Sequence, residues 1–118
     1  MGIESETMLR EIREALQNQA EDAALVSVTT AEITFLASSA TTVMLLQANG
    51  ARHGLIVVNT DANDLWLKYG TTAGTASGGW TVKIGSGTTW EMPQPIYSGR
   101  IDGIWTAAGV GIAEMTEF

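Results

Sequence analysis

The sequence predicts a mainly β fold, an antiparallel β-sandwich with one amphipathic α-helix at its N-terminus. From residue 25 onward, apolar and polar residues alternate with the period of two that half-buried strands show. Segments rich in Gly, Asn, Asp and Pro interrupt this pattern about every ten residues, as turns do in sandwiches and barrels. The chain has 118 residues, of which 45% are apolar and only 16% charged, which suits one domain of short strands.

The residue pattern of segment 1–24 predicts a helix, and we expect this helix to serve as an anchor or as an oligomerisation element. Leu9, Ile12 and Leu16 are spaced three and four residues apart, which places them on one face of a helix, and Ser5 is a suitable N-cap. Six acidic residues and two arginines give the segment a net charge of −4. Since so short a helix is only marginally stable alone in water, its apolar stripe has to dock on a β-domain or on copies of itself.

Residues 25–118 predict the β-sandwich domain. The stretches that predict its strands are LVSVTT (25–30), EITFLAS (32–38), TVMLLQA (42–48), HGLIVVN (53–59), LWLKYG (65–70), GWTVKIG (79–85), TTWEM (88–92) and GIAEMTEF (111–118). Two of them, TVMLLQA and HGLIVVN, are nearly continuous apolar runs, which is typical of strands covered on both faces. The spacing of strands and turns fits a plain sandwich and a jelly roll equally, so both stay open.

Charge and cysteine content exclude several classes of function. The net charge is −7 with only six Lys and Arg, so the chain lacks the basic face that nucleic acid or an anionic membrane requires. It has no cysteine, which excludes disulfides and thiolate metal sites. No apolar run approaches the length of a membrane span. We expect no nucleic-acid or membrane partner and no cofactor.

Two segments are weak candidates for a catalytic or metal site. His53 is the only histidine, but the chain has no nucleophile motif such as G-x-S-x-G to accompany it. DAND (61–64) begins like a calcium loop, yet Leu65 and Trp66 occupy positions where an EF-hand needs an oxygen ligand and a glycine. Asx side chains that cap a hairpin turn explain DAND better, and we expect no metal site.

Other candidates for chemistry are also better explained by structure. GTTAGTASGG (70–79) lacks the G-K-[ST] ending of a phosphate-binding loop, and we interpret it as a flexible hairpin tip. Glu91, Asp102 and Glu114 could supply an acid–base pair for glycoside hydrolysis, but nothing in the sequence brings them together. We therefore expect no enzyme activity.

The four tryptophans are the most informative side chains. Exposed on a β-scaffold, Trp66, Trp90 and Trp105 would form a platform on which sugar rings stack. The alternative is that most of the indoles belong to the core or to a subunit interface, because a buried aromatic side chain removes a large apolar area from water. Trp80 fits this alternative, since it alternates with the apolar residues of its predicted strand.

The stretch WEMPQPIYSGRIDGIW (90–105) combines two prolines, aromatic residues and a tight turn without a plausible catalytic pair. Pro93 and Pro95 fix φ and remove hydrogen-bond donors, so MPQP should leave the sheet as a rigid connector. Ile101, Ile104 and Trp105 should return to the apolar interior. The stretch is thus interpreted as a corner that sets the angle between strands.

Together with GLIVVNTDANDLWLKYG (54–70) and the ending AEMTEF, this stretch resembles a family of small virion proteins of tailed bacteriophages. The arginine and glycine that precede the first shared strand in that family correspond to Arg52 and Gly54, with His53 inserted between them. The resemblance covers residues 54–118 and does not include the predicted helix.

The resemblance implies a structural component of the phage particle, assembled in the host cytoplasm and located in the virion. Its expected role is capsid decoration (cement) or head fibre, with the major capsid protein or another virion protein as partner. The two-heptad stripe of the helix adds the expectation of a homo-oligomer, a trimer in particular. The alternative is a receptor- or glycan-binding domain of a fibre or tail component.

Overall fold

Alternating side chains form eight β-strands in residues 29–118, the part of the chain that the computed structural model describes. They are β1 (Glu32–Ala37), β2 (Val43–Leu46), β3 (Leu55–Asn59), β4 (Leu65–Tyr69), β5 (Val82–Ile84), β6 (Thr89–Glu91), β7 (Ile101–Trp105) and β8 (Ile112–Glu117). These residues contain no helix. The predicted helix over residues 1–24, with Leu9, Ile12 and Leu16, and most of LVSVTT lie outside the described residues.

The strands build two antiparallel sheets of four, which confirms the predicted mainly β sandwich. Sheet A has the order β1-β8-β3-β6 and sheet B the order β2-β7-β4-β5. Within the eight strands, β4 and β5 are the only consecutive pair in one sheet, so every other connection crosses from sheet to sheet. The chain must therefore turn a sharp corner after almost every strand.

The inward faces of both sheets meet in one hydrophobic core. Its buried side chains are Leu45, Leu46, Leu55, Val57, Leu65, Leu67, Ile84, Met92, Ile101, Trp105, Ala113 and Met115. Apart from the adjacent Leu45 and Leu46, their neighbours along each strand point outward, as the period of two requires. Burying a Leu, Ile, Val or Met side chain contributes about 1.5–3 kcal/mol before the entropy cost of folding, so this core is the main source of stability.

A bulge in β2 explains why that strand is continuously apolar. Met44 lies opposite Asp102 of β7 and Leu46 opposite Ile101, so the register shifts by one residue between them. Leu45 and Leu46 are consequently both buried, while Met44 is 40% exposed. The expectation that β2 and β3 are covered on both faces is wrong, because a two-layer sandwich covers only their inner faces and leaves the outward residues of β3 half-buried.

The sequence pattern does not reveal β7, which lies in the middle of sheet B between β2 and β4. Its residues were expected to form part of a corner, yet they form a five-residue strand. Ile101 and Trp105 lie in the core as expected, whereas Ile104 faces outward and is half-buried. Gly103 faces inward, where a Cβ atom would lie 2.7 Å from Leu45 and 3.1 Å from Leu65. The inward position of this glycine carries no side chain and the outward Ile104 is apolar, so the alternation is broken and the pattern is hidden.

Residues 92–100 carry the chain from β6 in sheet A to β7 in sheet B. Pro93 and Pro95 are exposed at the start of this crossover, as expected for residues that cannot donate to a strand ladder. Further along, Tyr97 stacks on Tyr69 of β4 with ring centroids 4.4 Å apart and an interplanar angle of 2°. The aromatic contact attaches the crossover to sheet B.

Arg52 joins three parts of the chain that are distant in sequence. Its side chain is fully buried, and its Nε donates to Oε2 of Glu117 on β8 at 2.6 Å. Its Nη1 donates to the carbonyl oxygens of Tyr97 and Gly99 in the crossover at 2.7 and 3.1 Å. Its Nη2 donates to the carbonyl oxygen of Gln47 after β2 at 2.9 Å. One guanidinium thus fixes the end of β2, the crossover and the end of β8.

Replacing Arg52 by Met should lower the free energy of unfolding by about 3–5 kcal/mol, because it leaves Glu117 without its cation and several carbonyl groups without a donor. Urea denaturation monitored by tryptophan fluorescence measures this change. The neighbouring His53→Ala variant is the control, since the exposed imidazole should contribute less than about 0.5 kcal/mol. Equal stability of the two variants would contradict the role assigned to Arg52.

Candidate functional site

The polar groups of the interior form a network that supports the fold. Oδ1 of Asn59 accepts hydrogen bonds from Nε1 of Trp105 and from the backbone N–H of Asp61, both at 3.1 Å. Its Nδ2 donates to the carbonyl oxygens of Asn63 and Ile84 at 2.9 and 3.1 Å. Within residues 29–118, every buried side-chain nitrogen and oxygen has a hydrogen-bond partner, so none is left pointing toward a ligand.

Asp61, the first residue of the DAND segment, accepts hydrogen bonds through both of its carboxylate oxygens. Oδ1 accepts from the backbone N–H of Gly111, and Oδ2 accepts from the backbone N–H and from Nδ2 of Asn63, each at 2.9 Å. Burial raises the pKa of Asp61, but the hydrogen bonds from Asn63 and Gly111 outweigh it, and the pKa is lowered. The described residues contain no group of three His, Asp or Glu side chains that could hold a metal ion.

The acidic residues singled out in the sequence lie in different places. Asp102 is buried on β7, where it accepts from Nε of Arg100 at 2.7 Å and from the backbone N–H of Thr72 at 2.8 Å. Glu91 and Glu114 are exposed on the outer face of sheet A, on strands separated by β3 and hence about 10 Å apart. The three carboxylates therefore share no cleft.

The glycine-rich segment 70–79 connects β4 to β5, but it is more firmly attached than a flexible tip. The backbone N–H of Gly70 donates to the carbonyl oxygen of Arg100 at 2.8 Å, and the N–H of Ala73 donates to Oγ1 of Thr42 at 2.9 Å. Ala73 is buried as a result. The first half of the loop thus lies against β7 and the β1–β2 connection.

The three tryptophans proposed as a stacking platform do not share a surface. Trp105 is 1% exposed and belongs to the core. Trp90 lies opposite the buried Val57 and therefore faces inward, with its ring centroid 6.4 Å from that of Tyr69. Trp66 alone of the three faces outward, because it lies between Leu65 and Leu67, whose side chains are both in the core.

Trp66 instead pairs with Trp80, which the sequence pattern places in the core. The chain bends before β5 begins, so Trp80 leaves the alternation and is 39% exposed. The two rings meet edge to face with centroids 5.1 Å apart. Nζ of Lys83 lies 5.4 Å from the Trp66 ring and 3.8 Å from Oδ2 of Asp64. We call Trp66, Trp80 and Lys83 the aromatic platform.

A second exposed surface lies on sheet A. β1 is the first strand of that sheet, and its outward residues Ile33 and Phe35 are 62% and 72% exposed. Monomeric soluble proteins seldom leave large apolar side chains exposed side by side on an edge strand, because such edges bind other chains. We call residues Glu32–Ala37 the β1 edge.

A groove of about 470 Å³ runs beside the β1 edge, where the two sheets separate. Glu32 and Thr34 of β1 form one wall, and Leu46 and Gln47 form the other. Glu117 also lines the groove, but its carboxylate is engaged by Arg52. The groove is a gap between sheet edges that is lined by polar as well as apolar side chains.

No helix in the described part of the chain is long and apolar enough to cross a membrane. Comparison with known protein families, with curated proteins and with solved structures gives no match for this chain. The aromatic platform and the β1 edge are therefore the features from which a function can be inferred.

Replacing Asp61 by Asn should destabilise the protein by about 1–3 kcal/mol at pH 7, because a neutral amide cannot accept from all the donors that surround the carboxylate. The pKa of Asp61 is lowered by folding, so its contribution is present above the pKa of the unfolded chain and is lost as the pH falls through the folded value. The difference between wild type and variant should therefore shrink below about pH 4.

Urea denaturation between about pH 7 and pH 2 measures this dependence. Glu91→Gln is the control, since this exposed side chain should alter stability little at any pH. A difference between wild type and the Asp61 variant that stays constant across this range would contradict the proposed role of the charge.

Proposed function

We propose that this chain is a structural component of a tailed-bacteriophage particle, a head decoration (cement) or head-fibre protein. Its partners are then the major capsid protein or another virion protein, together with further copies of itself. The observation that carries the proposal is the β1 edge, where Ile33 and Phe35 are exposed directly after the N-terminal segment. An apolar strand at a sheet edge is suited to assembly, since it offers backbone hydrogen bonds and apolar area together.

The fold that we propose for the domain is a jelly roll. Its support is the strand pairing: β1 pairs with β8, β2 with β7, β3 with β6 and β4 with β5, as in one long hairpin rolled into two sheets. Jelly rolls form viral capsid domains and also lectin domains, so the fold suits the proposed role without selecting it.

The residues that carry the sequence resemblance support a mechanical role. Arg52 is a buried clamp, and Gly54 packs so closely on Phe118 that a Cβ atom would lie 2.5 Å from its ring. In the stretch 90–105, Ile101 and Trp105 are core residues. These side chains are used to hold the sandwich together. Residues 1–24, with Leu9, Ile12 and Leu16, would then attach it to the capsid or bundle three copies.

Purified particles test the proposal. The chain should be present on heads at a copy number comparable to that of the major capsid protein, as measured by quantitative mass spectrometry. The double variant Ile33→Thr and Phe35→Thr should be incorporated at least about tenfold less, a loss of about 1.4 kcal/mol in binding free energy. Val110→Thr, a change at a fully exposed loop residue, is the control. Absence from heads, or one to a few copies near the tail, would contradict the proposal.

The aromatic platform favours a second candidate function, a receptor- or glycan-binding domain. Trp80 offers a partly exposed indole, and polar groups of Lys83, Asp64 and Thr106 lie around the neighbouring Trp66. This combination of an apolar ring and nearby hydrogen-bonding groups suits a sugar ring. The aromatic platform differs from the stacking surface expected from the sequence, because it includes neither Trp90 nor Trp105.

Titration of tryptophan fluorescence with host-surface saccharides tests the second candidate. Binding at the platform should change the emission, and Trp80→Ala should weaken the affinity about tenfold or more. The Trp90→Phe variant alters an inward-facing ring and should bind like wild type. An emission spectrum that stays unchanged across a panel of saccharides would argue against glycan recognition.

A further inference from the structure

We infer that two copies of this chain pair through the β1 edge, antiparallel and about a two-fold axis, so that their A sheets become one continuous sheet. The inference rests on the proposed role of the β1 edge in assembly and names its partner. Four points carry it: the direction of the backbone groups of β1, the residues that a symmetric register brings together, the absence of charge in residues 33–37, and the exposure of the outward side chains.

The hydrogen-bonding groups of β1 divide between its two sides. The backbone N–H of Ser38 donates to the carbonyl oxygen of Gly111, just before β8, at 3.1 Å. Because the groups of an antiparallel strand alternate in direction, the even-numbered residues of β1 face β8. The N–H and C=O groups of Ile33, Phe35 and Ala37 then point to the opposite side, where no other strand of residues 29–118 pairs.

A second β1 strand can satisfy these groups in one symmetric register. With the two-fold axis at Phe35, that residue lies opposite its own copy and Ile33 lies opposite Ala37 of the second chain. Each outward-pointing N–H and C=O of the three residues then has a partner. With the axis at Thr34 instead, Ala37 would lie opposite no residue of the second β1 strand, and Glu32 would lie opposite the apolar Leu36. The register centred on Phe35 is therefore favoured.

Charge also favours this contact between copies. The chain carries a net charge of −7, so most of its surface opposes self-association. Residues 33–37 contain no charged side chain, and Glu32 would lie beside Ser38 of the second copy. The nearest outward acid on β8, Glu114, would be separated from its copy by both β1 strands, about 14 Å, which exceeds the screening length of about 8 Å at physiological salt.

The apolar side chains complete the interface. Phe35 is 72% and Ile33 62% exposed, and both lie on the outer face of sheet A. In the paired state the two Phe35 rings would cover each other, and each Ile33 would pack on Ala37 of the second copy. Cross-strand pairs of this kind add to the stabilisation that the backbone hydrogen bonds give.

Single-cysteine variants of the full chain test the register, since the natural sequence has no cysteine. Phe35→Cys should form a disulfide-linked dimer on mild oxidation, because opposite residues lie within disulfide reach. Ile33→Cys, on the same face of the same strand, is the matched control. Its copies would be about 13 Å apart, too far to bridge, so it should cross-link at least about tenfold more slowly.

Light scattering supplies a second measurement on unmodified chain. The assembly in solution should contain an even number of copies, two alone or six if the predicted N-terminal helices also associate in threes. Phe35→Lys should halve that number. A monomer or a trimer, or equal cross-linking at positions 33 and 35, would overturn the inference. A monomer would mean that residues 1–28 of the same chain or another protein cover the β1 edge.

The outcomes separate this inference from the proposed function. If the inference alone fails, wild-type chain is incorporated into heads although Phe35→Cys gives no disulfide-linked dimer. If the proposed function alone fails, Phe35→Cys gives the dimer while the chain is absent from purified heads.

Discussion

The buried guanidinium of Arg52 is the contact on which the arrangement of the two sheets depends. Strands that follow one another mostly lie in different sheets, so hydrogen bonds within a sheet cannot hold the connections in place. Arg52 binds the crossover 92–100, the chain after β2 and the carboxylate of Glu117 at one end of the sandwich. At the other end, Asn59 and Asp61 serve the same purpose with an amide and a carboxylate. Because each of these groups is buried and hydrogen-bonded, the corners are rigid.

This use of polar residues leaves little chemistry for the surface of residues 29–118. Arg52, Asn59, Asp61 and Asp102 are all buried and engaged in holding the chain. Besides exposed charged residues, the outside offers two surfaces with exposed apolar side chains, the aromatic platform on sheet B and the β1 edge on sheet A. Both surfaces are suited to contact with another molecule, and the second is formed by a strand whose backbone can extend the sheet. The proposed role in assembly uses the second of these surfaces.

Much of the fold can be predicted from the sequence, because a period of two in apolar residues directly specifies an inward face. Seven of the eight strands coincide with predicted stretches. β7 does not, since Gly103 is required for close packing at an inward position and the apolar Ile104 lies at an outward one. The candidate surfaces were less predictable. Trp80 leaves the alternation at a bend, and the exposure of Phe35 depends on β1 being at the edge of its sheet, which no local pattern encodes.

The central claim is that the β1 edge is covered by another chain when the protein is in its working state. Amide hydrogen exchange of Ile33, Phe35 and Ala37, followed from dilute to concentrated solution and on purified particles, tests it most directly. The account predicts that these three amides exchange rapidly in dilute solution and become protected on association, while the amides of Leu36 and Thr34, which face β8, are protected throughout. Rapid exchange of Ile33, Phe35 and Ala37 under all conditions, or protection already complete in the dilute monomer, would contradict it.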